Sequence, residues 1–181
     1  MSARIAALLA VLALAAGVAA KVEAGGQPQK PEKPKSSEKR DLEKEEALRK
    51  EALKAAAKYA KELEPVLRFA AEKKLKKQAE EVLAAIETAV PDSKKLPELK
   101  DLVEKIEPSG EPAEANLKEF ARKLESVKDA QGKRLMALAK SCAKVGLYTR
   151  CYDLVGEVLD LDPDNAEARK IRGFVKKDGR W

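Results

Sequence analysis

Arg134-Leu135-Met136-Ala137-Leu138-Ala139-Lys140-Ser141-Cys142-Ala143-Lys144-Val145-Gly146 opens the stretch that decides the fold, which continues to Phe174. Leu135, Leu138, Ala139 and Cys142 fall at i, i+3, i+4 and i+7, the period of one helix face. Gly146 stops that helix, because glycine enters a left-handed C-terminal turn without steric cost. Leu154, Val155, Val158 and Leu159 form a second stripe. Pro163, with no amide donor, ends the second helix. Asp164 or Asn165 then caps a third helix from Ala166. Two helices joined by so short a turn pack antiparallel.

These residues resemble a tetratricopeptide repeat. Leu135, Leu138 and Ala139 match the apolar and small positions of its first helix, Gly146 its turn glycine and Pro163 its closing proline. Cys151 stands where the family has alanine, and Val155 where it has an aromatic. Gly173 follows Ala139 by 34 residues, the spacing to the next repeat's small residue. A weaker copy lies upstream. With Pro91 placed on Pro163, Leu75 aligns with Leu147, Ala79 with Cys151, Val82 with Leu154, Leu83 with Val155 and Ile86 with Val158. In this copy Lys74 replaces the turn glycine and Pro65 lies inside the first helix. The resemblance implies antiparallel hairpins stacked as a short α-solenoid that holds a partner and does no catalysis.

Outward from this core the chain changes character twice. Arg4, the apolar run Ile5–Ala20 and the small residues Gly17-Val18-Ala19-Ala20 describe a secretory signal cleaved near Ala20. The chain is therefore expected to be exported, to the periplasm, the cell envelope or the medium. An uncleaved signal would be its one route into a membrane. Residues 21–37 follow as a Pro/Lys-rich linker, with Pro28, Pro31 and Pro34 at every third residue, which suits polyproline II. From Glu38 alanine, leucine, lysine and glutamate dominate, all strong helix formers. The spacing predicts helices over 38–63, 65–73, 76–89, 95–106, 112–129, 132–145, 148–161 and 165–177. No stretch alternates as a strand would, so the class is all-α. The organisation expected is a helical region over 38–131, with the degenerate hairpin at about 60–93, followed by the second hairpin and a last helix over 132–181. The ending Asp178-Gly179-Arg180-Trp181 resembles a passage that leads onward in exported repeat proteins; the alternative is a tryptophan folded back on the last helix.

The chain contains no histidine. That removes the commonest general base and metal ligand, and with them every Ser-His or Cys-His pair. No Gly-rich phosphate loop precedes a helix. Neither a cofactor nor a metal is expected. The formal charge is +6, and removing residues 1–20 takes Arg4 with it and leaves +5. Lysines interleave with acids and lack stacking aromatics, which argues against nucleic acid.

Lys133, Lys140 and Lys144 share one face, about 120° from the apolar stripe. In the family, residues at these positions, with Met136, line the ligand surface; one repeat on, Lys170 and Phe174 join them. The upstream copy adds Lys61 and Arg68 beside Glu64 and Glu72. Such a surface suits an acidic peptide segment or a free carboxylate, whereas the alternative is an ordinary solvated lysine face on a structural spacer of the envelope. Cys142 and Cys151 are equidistant from the turn, so after export they either form a disulfide or pack as two small buried thiols.

Overall fold

The structure is a computed structural model that describes residues 36–107, 111–175 and 177, with side chains from Leu42 onward. The expected signal over 1–20, the linker as far as residue 35 and Trp181 lie outside the described residues. Ser36 and Ser37, read as linker, already belong to the first helix.

Among the described residues the chain is all-helical: α1 (Ser36–Glu72), α2 (Lys76–Ala89), α3 (Leu96–Glu104), α4 (Glu114–Lys144), α5 (Tyr148–Leu161) and α6 (Ala166–Ile171). The bounds of α2 and α5 are those expected from the sequence. Two expected breaks do not occur. α1 runs straight through Pro65. Proline in a helix interior costs about 3 kcal/mol; burying Leu63, Val66 and Leu67 around it returns roughly 1.5–3 kcal/mol for each side chain. α4 likewise runs through Gln131 and Gly132, so the expected boundary at 131/132 falls inside one helix. The last helix is shorter than expected. It ends at Ile171 because Gly173 turns left-handed (φ 83) and Phe174 N–H donates back to the Arg169 carbonyl at 2.9 Å. Asn165 supplies the expected cap, its side-chain oxygen accepting from Ala168 N–H at 3.0 Å.

The two hairpins repeat each other at an offset of 72 residues. α1 and α4 end at Glu72 and Lys144, and α2 and α5 cover 76–89 and 148–161. Lys74 (φ 55) occupies the left-handed turn position that Gly146 (φ 83) holds in the second copy. Leu75 N–H donates to the Ala70 carbonyl at 2.8 Å, and Leu147 N–H to that of Cys142 at 2.9 Å. The buried stripes also coincide: Leu63, Val66, Leu67 and Ala70 lie where Leu135, Leu138, Ala139 and Cys142 lie.

The hairpins are not stacked by translation. Leu48 and Ala52, early in α1, pack on the core of the second hairpin, whereas Leu117, Phe120, Leu124 and Val127, early in α4, pack on the core of the first. Between these contacts Arg134 pairs with Glu62, and Lys123 lies 5.0 Å from the Phe69 ring centre. Residue numbers thus rise along α1 as they fall along α4, so the two long helices are antiparallel. In a solenoid the first helices of successive hairpins run parallel. Here a pseudo-two-fold axis relates the halves, and Glu62 and Arg134, equivalent at the 72-residue offset, meet on it. The expected solenoid stacking is corrected accordingly: the first half of each long helix fills the groove of the other hairpin, and that exchange buries both apolar cores.

Gly132 is the counterpart of Ala60 beside this axis; both are buried, and a Cβ added at Gly132 would meet nothing within 4 Å. Gly132→Ala is therefore expected to stabilise the protein by about 0.5–1 kcal/mol, the usual helix-interior difference. Urea unfolding reads it directly; a loss of stability would mean that the crossing needs the bare backbone.

Candidate partner-binding face

The apolar stripe of α4 faces inward, so the lysines on its opposite side face solvent. Lys133, Lys140 and Lys144 are exposed, as are Lys170 and Phe174. Met136 is not. Expected at the ligand surface, it is 6% exposed and belongs to the second core with Leu135, Leu138 and Cys142. It is buried because the first half of α1 covers that flank of α4, through Leu48 and Ala52, where a translated stack would leave a groove. The expected set therefore survives on the surface as five residues, in two groups. Lys140 reaches Glu167 of α6 at 2.8 Å, which joins the α4 face to the last helix. Phe174 lies beyond the end of α6 with the Arg169 guanidinium 5.5 Å from its ring centre.

The internal repeat shows which features the fold itself requires. The counterparts of Lys133, Lys140 and Lys144 are Lys61, Arg68 and Glu72. Arg68 is held by Glu98 at 2.7 Å, and nearby Lys95 reaches Glu64 at 2.9 Å. Lys140 is likewise held by Glu167, and neither Lys61 nor Lys133 makes an ion pair among the described residues, so the two versions differ at the third position: Glu72, which pairs with Lys73, against Lys144, which makes no ion pair among the described residues. A shallow cleft of about 430 Å³ sits beside that first-half face, lined by Arg68, Glu72, Lys74 and Lys105 among others. Its charges alternate in sign, so it favours no ligand charge.

Comparison with protein-family models, with curated proteins and with solved structures returns no match. The assignment of a face therefore rests on this chain's own geometry.

Cys142 and Cys151 lie together in the second core as free, buried thiols. Burial is the largest influence on Cys142 and pushes its thiol pKa up, away from reactivity. Their counterparts in the first hairpin are Ala70 and Ala79, both fully buried. The hairpin thus packs around a small apolar side chain at each position and needs no bridge to form.

Two features lie outside the set expected from the sequence. Tyr148 and Tyr152 are exposed on α5, where the first half carries Lys76 and Glu80, and Arg172 lies 5.9 Å from the Tyr152 ring centre. Lys54 and Lys58 continue the exposed stripe that holds Lys61 on α1. Their i, i+4 and i, i+3 spacing was readable. Their proximity to the α4 lysines was not, because it depends on the antiparallel packing. Among the described residues no group of His, Cys, Asp and Glu side chains converges as metal ligands would, and no helix is long and apolar enough to cross a membrane.

Proposed function

We propose that this chain is an exported, non-enzymatic scaffold of tetratricopeptide-like helical hairpins that holds a protein or peptide partner on the lysine face of α4. The observation that carries this reading is the contrast between the halves. At equivalent positions Lys61 answers to Lys133, and Arg68, held by Glu98, answers to Lys140, held by Glu167; the halves part at the third position, where the first carries the acid Glu72 and the second carries Lys144, which makes no ion pair among the described residues. The hairpins themselves support the tetratricopeptide likeness in their turn, their buried stripes and their closing proline. Joined about a two-fold axis, they make a closed pair in place of an open array.

A second reading is favoured by the burial of Met136. Leu48 and Ala52 cover the flank of α4 that a stacked array leaves open to a ligand, as suits a structural or spacer element of the envelope. Affinity capture from envelope extract, with the chain from Lys21 onward as bait, separates the two. The scaffold reading expects one protein recovered reproducibly, and lost when Lys133, Lys140 and Lys144 are all changed to glutamate while helicity and melting stay the same. Recovery of nothing, or of the same protein by the triple variant, sinks the scaffold reading for this face.

A further inference from the structure

The antiparallel packing does more than position the α4 lysines: it brings a second row beside them. On α1, Lys54, Lys58 and Lys61 lie three and four residues apart, opposite the buried stripe of Tyr59, Leu63 and Val66, and all three are exposed. Lys61 adjoins Glu62, and Lys133 adjoins Arg134, the pair that meets on the axis. A two-fold axis perpendicular to two antiparallel helices carries front face onto front face, so both rows point the same way. Going from the axis toward the start of α1 is also going toward the end of α4. Lys58 and Lys54, about 6 and 12 Å from the axis at 1.5 Å per residue, therefore lie across from Lys140 and Lys144, about 9 and 15 Å from it. Neighbouring helix axes stand roughly 8–10 Å apart.

We propose that Lys54, Lys58 and Lys61 of α1 and Lys133, Lys140 and Lys144 of α4 form one composite docking surface for an acidic segment of a protein. This deepens the scaffold reading given above and rests on it. Lys54, Lys58, Lys61, Lys133 and Lys144 make no ion pair among the described residues, and the sixth, Lys140, already holds a carboxylate, that of Glu167 at 2.8 Å. The chain itself thus displays the contact that an acidic partner would make. The part of the α1–α4 face related to this one by the two-fold axis bears Ser126 and Ala130 in place of Lys54 and Lys58, Arg68 in place of Lys140, and Glu72 in place of Lys144. The fold tolerates uncharged and acidic residues at three of those places, so the concentration of lysines is not a requirement of helix packing.

A protein segment fits better than the other polyanions. No exposed aromatic lies among the six lysines to stack on a base. Exposed Ala57 and Ala137 stand between them, small apolar surfaces on which side chains of a peptide can rest. The row from the axis to Lys144 is about 15 Å long, which an extended chain spans in roughly five residues. Lysines act here as mobile point charges, so acidic content matters more than the exact order of residues in the partner.

The test is fluorescence anisotropy of a labelled hexaglutamate peptide titrated with the chain from Lys21 onward in low salt. Three variants are compared with the parent: K54E/K58E/K61E, K133E/K140E/K144E, and S126E/A130E, the control at the positions that the two-fold axis relates to Lys54 and Lys58. Both lysine variants are expected to weaken binding at least about tenfold, and the control to change it less than about twofold; 0.5 M salt should erase most of the difference, because exposed charges are screened within a few ångströms there. Circular dichroism melts verify folding, and the milder Lys→Gln triples serve if a reversal perturbs it. Loss only in the α4 variant overturns the composite surface and leaves the scaffold reading standing. Loss in neither overturns both. Tighter binding of a single-stranded oligonucleotide or of vesicles containing phosphatidylglycerol, through the same lysines, overturns the choice of partner.

Discussion

Glu157→Ala is expected to make the protein more stable at pH 8, by about 1–3 kcal/mol, and to change little at pH 4. Glu157 lies on α5 with its Oε1 buried and without a hydrogen-bond partner. Burial is the largest influence and takes its pKa to about 7; Arg150 opposes it, and Asp153 and Asp160, each weaker than Arg150, push it further up. An acid whose folded pKa is raised holds its proton more tightly in the native state. Its neutral form is therefore at no disadvantage below the unfolded value of 4.5. Stability is then lost as pH rises from there through about 7. The whole interval corresponds to about 3 kcal/mol at 1.36 kcal/mol per unit, less whatever packing the aliphatic part of the side chain contributes. The first hairpin supplies the control, for Ala85 holds the equivalent place and packs on its core. Chemical denaturation across pH 4–8 measures the effect. The parent curve should fall away from that of the variant above pH 5. Parallel curves would mean that the carboxylate is solvated and that the burial carries no penalty.

The ion pair on the axis gives the other large effect. Arg134 donates to Glu62 and to the Gln131 side-chain oxygen, the latter at 3.3 Å. Both partners are mostly buried, and the second oxygen of Glu62 has no hydrogen-bond partner among the described residues. Arg134→Ala would leave that carboxylate uncompensated, at a cost of about 2–4 kcal/mol. Because residues 62 and 134 are equivalent positions facing one another, exchanging them (E62R/R134E) rebuilds the same pair turned about the two-fold axis. The exchanged arginine would meet Tyr59, the counterpart of Gln131, and forgo one hydrogen bond worth about 1 kcal/mol. The double variant is thus expected to recover all but about 1 kcal/mol of the loss. A double variant no more stable than Arg134→Ala would remove the two-fold relation of the halves.

These two residues also mark where local sequence stops being informative. The all-α class, the bounds of α2 and α5, the inward stripes on α1 and α4 and the Asn165 cap were all legible, because each depends on residues within about one or two helical turns. The upstream hairpin was legible too, despite Lys74 at its turn, since its apolar positions keep step with those of the second. What periodicity reports, though, is which face is buried and never against what. Pro65 and Gly132 read as breaks on local propensity, yet packing carries α1 and α4 through both. Met136 read as a surface residue because a stacked array leaves its flank open. Leu48 and Ala52, more than 80 positions earlier, close it. The sequence alone thus determined the helices, their inner faces and the repeat. Only the tertiary structure decided that the two copies meet about a two-fold axis with their long helices antiparallel, because the direction in which two distant helices pack depends on how the whole of one apolar surface fits the other. That choice buried Met136 and set the lysines of α1 beside those of α4.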